Sequence, residues 1–387
     1  MSQVQDAPVA SAPSAGSGRI VHVDGLRGLA IAMVVLYHAY SRWPDLYPYG
    51  DRFVGNQLVD TRINGVLLFF AISGFVILMS LEASSSFLGF LRRRWLRLFP
   101  AMLFASAVVY GLAATVPDWP RGHLLPTNLL PGLTLFGEDA WVNLIGPPIE
   151  RVTSIEGAFW SLYVEVRFYL VFGGLYFLFG RTGALIGLFG LHFAEGAFRV
   201  LEMPAVGVHL AAVVPGLDRF VVSLHLRDTL RLFGTQHYLW FFFGAMYYLW
   251  ERERREYQWW IAFAVSIVAA LTAMPGIGQR LVIVVLFAAT ARFDRVRRVV
   301  ANRFLVFLGF ASYPLYLMHE NLMVALIVRL GRAAPWLPDV LLPVLPIAVV
   351  IGLGWLVARH VEPPLRRVIA RGLDGLVAPL RRRFARG

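Results

Sequence analysis

Residues 24–42 read DGLRGLAIAMVVLYHAYSR. Within this apolar run a permanently charged Arg27 is followed eleven residues later by His38. Ionisable groups on a membrane helix are expensive and commonly functional. Taken as one helix, the run places the two side chains about 16 Å apart along the axis and within roughly 20° of one face. That spacing offers a cation at one end of a path and a titratable imidazole nearer the other. Arg27 alone also fits an anchor at a helix end. His38, beside Tyr37 and Tyr40, also fits an interfacial histidine held by its neighbours.

Working outward, 58% of the 387 residues are hydrophobic and only 16% are charged, with a mean hydropathy of +0.62. An integral membrane protein is therefore the leading class. With no cysteine, disulfides, thiol nucleophiles and thiolate metal sites are excluded. All 36 basic residues are Arg, which removes a lysine nucleophile or Schiff base. The net charge of +12 would suit nucleic acid in a soluble protein. Here the cations lie between apolar runs, a mark of membrane topology, and no nucleic-acid partner is expected.

Ten spans account for most of the apolar sequence: about 24–42, 62–81, 98–115, 157–179, 182–199, 235–250, 257–274, 278–293, 304–328 and 341–359. The expectation is an all-α, polytopic membrane protein with about ten transmembrane helices. Residues 203–217, with Pro204 and Pro215, read as a re-entrant or interfacial element. With an inward N-terminus, the even connections carry Arg92, Arg93, Arg94, Arg97, Arg181, Arg252, Arg254, Arg255, Arg292, Arg295, Arg297 and Arg298. The opposite connections carry Asp45, Asp51, Asp60, Asp118, Glu138, Asp139, Glu150 and Glu156. This asymmetry puts both termini in the cytosol. Residues 1–18, rich in Ala, Ser, Pro and Gly, read as a disordered tail with no cleaved signal peptide, and 366–387 as a basic tail.

Further polar groups interrupt the apolar runs. Ser73-Gly74 in the second span permits close helix approach. Arg94 and Arg97, three apart and placed before Pro100, can offer one fork to phosphate groups. Glu165 in the fourth span needs a proton, a partner or internal water, and Arg167 is a candidate ion-pair partner. Ser312, Tyr316 and His319 form a polar stripe on the ninth, fit to line a cavity or to join helices. Pro363 and Pro364 read as the stop of the tenth.

Six segments in order resemble acyltransferase family 3, the integral-membrane acyltransferases that modify sugars, polysaccharides and other hydroxylated compounds. They are Asp24-Gly25-Leu26-Arg27 with His38, Phe69 through Phe75, Arg94 through Pro100, Trp160-Ser161-Leu162 with Glu165, Phe168 and Tyr169, Ser312-Tyr313 with Tyr316-Leu317 and His319, and Glu362-Pro363. The resemblance implies a ten-span core over residues 19–365 in a bacterial cytoplasmic (inner) membrane. It implies acetyl-CoA or another short acyl-CoA as donor, a carbohydrate or lipid-linked glycan as acceptor, and membrane lipids around the core. Some relatives carry an added extracytoplasmic domain; none is expected after Pro364.

By that resemblance His38 is the catalytic base, and a well-placed base contributes roughly 10²–10⁴-fold. Arg27, Arg94 and Arg97 would bind CoA phosphates, while Glu165 and His319 would orient the acceptor or carry its proton. A covalent intermediate on His38, Ser73 or Ser161 is a further scheme. Two rivals stand beside the transferase. One is a proton-coupled secondary transporter. The other is a metal site on His38, Glu165 and His319, although their spacing matches no ligand motif and no metal is expected.

Overall fold

The computed structural model describes residues 20–61, 63–116, 119–122, 124–138, 140–141, 152–203, 206, 209, 212, 226–271 and 277–384. Every regular element among them is helical. The helices are α1 (Val21–Tyr40), α2 (Asn64–Glu82), α3 (Phe87–Thr115), α4 (Leu129–Thr134), α5 (Trp160–Leu201), α6 (Leu226–Leu232) and α7 (Tyr238–Glu253). They continue with α8 (Glu256–Leu271), α9 (Ile277–Arg292), α10 (Asp294–Val300), α11 (Arg303–Met318), α12 (Glu320–Ala333), α13 (Val344–Leu356) and α14 (Glu362–Phe384). The tail of residues 1–18 and most of 203–217 lie outside the described residues.

Ten crossings are expected, but among the described residues five helices are long and apolar enough to cross a membrane. A sixth is added if α10 and α11, bent by 62° at their junction, count as one. Two features account for the shortfall. The expected fourth and fifth spans form the single element α5, broken at Gly180, whose φ of 70° breaks the helical run. In addition α7, α8, α9 and α11 have 16 residues each. Such a helix is about 24 Å long, short of the ~30 Å hydrocarbon core.

Three boundaries differ from their sequence expectation. Ser86 caps α3 by accepting the Gly89 N–H, so the arginines from Arg92 to Arg97 lie on the helix rather than before it. The ninth span breaks at His319, because the Asn321 N–H, which would continue the ladder, goes instead to the Glu156 carboxylate. A side chain inserted into the i→i−4 ladder is a physical cause of such a break. Pro363 and Pro364 do not stop the chain. They occupy the first turn of α14, directly after a π-helical turn at Val357–Val361, where a missing N–H is tolerated.

Helix α7 is buried continuously from Tyr238 to Trp250, as expected of a helix apolar on every side. It meets α2 backbone to backbone: a Cβ on Gly74 would lie 1.9 Å from the Phe241 carbonyl oxygen, and one on Gly244 1.8 Å from that of Ala71. The same reciprocal contact joins α1 to α11. A Cβ on Gly28 would lie 1.8 Å from the Leu305 oxygen, and one on Gly309 1.9 Å from the Asp24 oxygen. Small residues that admit such approach are the usual device of helix association in lipid. The connections bearing Arg181 and Arg252 meet at one end, where both arginines bind Glu82.

Candidate functional site

Helices α1, α2, α3, α5 and α11 enclose a cavity lined by Arg27, Arg94 and Arg97 together with Phe69, Ser73, Ser161, Glu165, Tyr169, Tyr313 and Tyr316. The sequence-derived donor arginines and Glu165 therefore share one space. The two-helix approach at Gly28 and Gly309 explains why Arg27, next to Gly28, reaches it. Arg27 binds Asp24 at 3.0 Å. Arg94 donates to Ser80 Oγ at 2.9 Å, while its Nε is buried without a hydrogen-bond partner among the described residues. Arg97 binds Glu362 at 2.8 Å and lies over the Tyr313 ring, 5.2 Å from its centroid.

Glu165 is held by hydroxyls, and Arg167, whose two-residue offset makes no direct clamp, is not its partner. Ser73 Oγ and Tyr169 OH each donate to its Oε1 at 2.6 Å. Arg167, two positions along the helix and pointing elsewhere, donates to the Leu232 carbonyl. Two hydroxyl donors on one oxygen offset much of the cost of removing a carboxylate from water.

His38 and His319 do not line this cavity. They meet each other edge to face, with ring centroids 4.8 Å apart. Each Nδ1 lies 2.9 Å from a main-chain carbonyl, that of Val34 for His38 and of Tyr316 for His319. A carbonyl only accepts, so Nδ1–H donates in both and each neutral ring carries its basic lone pair on Nε2. His38 Nε2 faces Glu320 Oε1 at 3.8 Å. The backbone at His38 is fixed by Tyr47 and Tyr49, whose hydroxyls donate to the carbonyls of His38 and Ala39 and satisfy the open C-terminal end of α1.

The two groups adjoin at Tyr316. Its hydroxyl shares a hydrogen bond with Ser161 at 2.7 Å and donates to the Ala158 carbonyl at 2.8 Å, and its ring meets Phe69 at 5.9 Å and His319 at 5.6 Å. Glu165 thus belongs to the arginine cavity, and His319 to His38. No group of three or more His, Asp or Glu side chains is placed to hold a metal among the described residues.

Two acidic residues at this site escape sequence reasoning. Glu320 and Glu156 are 1% and 0% exposed. Glu320 Oε2 accepts the Ala158 N–H at 2.7 Å, and Glu156 Oε2 the Asn321 N–H at 3.2 Å. Glu156, just outside α5, reads in sequence as a loop charge. Burial first, and the Glu320 carboxylate second, raise its carboxyl well above the ordinary value. The available signal was the unbroken run His319-Glu320-Asn321 inside an apolar span.

Residues 20–359 match the model of a family described as an acyltransferase domain. Nodulation protein 10 of Rhizobium leguminosarum bv. viciae is 33% identical over 187 residues, 44% of this chain and 48% of that protein. Acyltransferase MdmB of Streptomyces mycarofaciens is 29% identical over 165 residues, 40% of this chain and 39% of that protein. An O-acetyl transferase of Shigella phage Sf6 is 26% identical over 262 residues, 65% of this chain and 67% of that protein. The chain thus spans about half the length or less of the first two and two thirds of the third. No solved structure matches it.

Proposed function

Because this chain belongs to acyltransferase family 3, we propose that it is a membrane O-acyltransferase moving a short acyl group, acetyl first, from an acyl-CoA on the cytosolic side to a hydroxyl of a cell-envelope sugar, polysaccharide or glycolipid. The observation that carries this reading is the shared cavity of Arg27, Arg94, Arg97 and Glu165, joined through Tyr316 to the His38–His319 pair. Three guanidiniums from two helices suit the phosphates of CoA. The Arg94 Nε, without a hydrogen-bond partner among the described residues, has a donor to spare for such an anion. The O-acetyl transferase named among the relatives supports acetyl.

In this mechanism Arg27, Arg94 and Arg97 hold the donor phosphates and keep the thioester against the Tyr316 wall. His38 Nε2 takes the proton of the acceptor hydroxyl as its oxygen bonds to the acyl carbon. The carbon–sulfur bond breaks with its electron pair on sulfur. Glu165 and His319 orient the acceptor or carry its proton. The membrane core is residues 19–365, read as ten spans in a bacterial inner membrane with cytosolic tails 1–18 and 366–387 and no metal. The parallel course of α1 and α11 supports this topology: Asp24 meets Gly309 near their starts and His38 meets His319 at their ends.

The test is transfer from isotopically labelled acetyl-CoA in membranes, with mass spectrometry of envelope glycans made with and without the protein. A mass gain of one acetyl group that requires the protein supports the reading. Near-normal turnover by purified His38→Ala would sink the role of His38. Solute accumulation in liposomes without acyl-CoA, and no label transfer, would replace the transferase by a transporter.

A further inference from the structure

Helix α14 packs against the start of α3 and is tied to it at two points: Arg97 binds Glu362 at 2.8 Å, and Arg92 binds Asp374 at 2.7 Å. Glu362 and Asp374 are the carboxylates of α14, so both are taken up by α3 arginines. Arg97 lines the cavity and Arg92 does not, so α14 leads away from the cavity as it runs from the first tie to the second. At about 100° per residue, Arg366 projects about 40° from Glu362 and about 80° from Asp374, on the face between the ties. Leu365, Ile369, Ala370 and Leu373 on that side are half-buried, as a face turned to a neighbour should be, while Arg366 is exposed. Among the described residues Arg366 has no ion-pair partner. A guanidinium set beside other guanidiniums, with the nearby acids already bound, suits an anion from outside the chain.

Resting on the acyl-transfer reading, we propose that Arg366 is a separate anion subsite for the donor, taking the ribose 3′-phosphate of CoA while Arg27, Arg94 and Arg97 take the diphosphate. CoA carries its phosphates at two places. The diphosphate joins the pantetheine arm to the nucleoside, and the 3′-phosphate lies beyond it on the ribose, on the side away from the thioester. A donor whose thioester enters the cavity brings its diphosphate to the cavity arginines and leaves its 3′-phosphate further out, along α14. Arg366 stands in that direction, one turn or about 6 Å past the Arg97–Glu362 pair. Its planar guanidinium offers paired N–H donors that match the oxygens of a phosphate monoester. The residue follows position 359, where the match to the family ends.

Calorimetric binding to the purified full chain in detergent reads the subsite with two probes, CoA and dephospho-CoA, which lacks only the 3′-phosphate. Wild type should bind CoA about tenfold more tightly than dephospho-CoA, the effect of one charge-assisted contact at an exposed site. Arg366→Ala should weaken CoA about tenfold and leave dephospho-CoA unchanged, whereas Arg97→Ala should weaken both alike. Arg371→Ala removes the same charge about 140° round the helix from Arg366 and should change neither. Equal binding of the two probes by wild type overturns the proposal alone, and Arg366-dependent binding of phosphatidylglycerol in that case would give the arginine to lipid headgroups instead. A loss in Arg366→Ala that is shared by both probes, or matched by Arg371→Ala, also overturns it. A wild type that binds neither probe overturns the functional reading and this inference with it.

Discussion

Arg97 holds Glu362 and, on the acyl-transfer proposal, is also to hold a donor phosphate, which makes its partner the sharper perturbation. The guanidinium binds Glu362 at 2.8 Å, with the arginine side chain 42% exposed and the glutamate 13%. A charge-assisted hydrogen bond contributes about 1.5–3 kcal/mol. At a half-exposed site the lower value applies, so Arg97→Ala should raise KM for acyl-CoA by about tenfold. Donor binding must also draw Arg97 from Glu362, and an exposed pair of this kind is worth about 0–1 kcal/mol. Glu362→Gln should therefore lower KM by up to about fivefold, since 1 kcal/mol is that factor at 25 °C. The two changes share one guanidinium and should not add: Arg97→Ala with Glu362→Gln should behave as Arg97→Ala. The assay is initial-rate kinetics against acyl-CoA, with calorimetric binding of free CoA as a check that excludes chemistry. A rise in KM for Glu362→Gln, equal to that of Arg97→Ala, would refute competition and leave the pair as a single structural unit.

Other outcomes follow from the same contacts. His38→Ala should reduce kcat by about 10²–10⁴-fold while CoA binding persists, checked by turnover beside calorimetry. Gly28→Val should deplete folded protein, because a Cβ would lie 1.8 Å from a backbone oxygen of α11; Gly111→Val, with nothing within 4 Å, is the control, and monodisperse yield in detergent reads both. Tyr316→Phe should cost about 1–3 kcal/mol of stability, because the Ser161 hydroxyl and the Ala158 carbonyl lose a buried partner, measured as a lower unfolding temperature. Raising ionic strength should raise KM for acyl-CoA with kcat unchanged, because the half-exposed Arg97 is screened.

The sequence is most legible where one helix speaks for itself. Arg94 and Arg97 share a face because they are three residues apart, and both line the cavity. Ser73-Gly74 marks a close approach, and Gly74 does rest on the α7 backbone. The break between the fourth and fifth spans, expected at residues 180–181, falls at Gly180. Features that depend on a partner far along the chain were hidden. Nothing in residues 304–328 announces that a carboxylate at Glu156 will take the Asn321 N–H and divide the helix. Nor does the spacing of Glu165 and Arg167 reveal that the Ser73 hydroxyl of α2 joins Tyr169, one turn along α5, in holding that glutamate. Periodicity assigns a residue to a face, while the identity of what meets that face is set by packing.

The opening pair, Arg27 and His38, gains its meaning from the second helix beside it. The eleven residue steps from Arg27 to His38 rise about 16 Å along α1, and the ten from Gly309 to His319 rise about 15 Å along the neighbouring helix. The two lengths agree, and contacts pin the helices at both ends: Gly309 against Asp24 at one, His319 against His38 at the other. Because the glycine contacts have no side chain to yield, sliding α1 by one turn would drive Gly28 off the Leu305 carbonyl and separate the histidines together. The arginine cavity and the imidazole pair are therefore held in one frame, with Tyr316 as the wall between them. On the acyl-transfer proposal, the movement that lets an acyl group reach His38 is assigned to the Tyr316 and Phe69 side chains, whose rotamers can change while the α1–α11 contact stays closed.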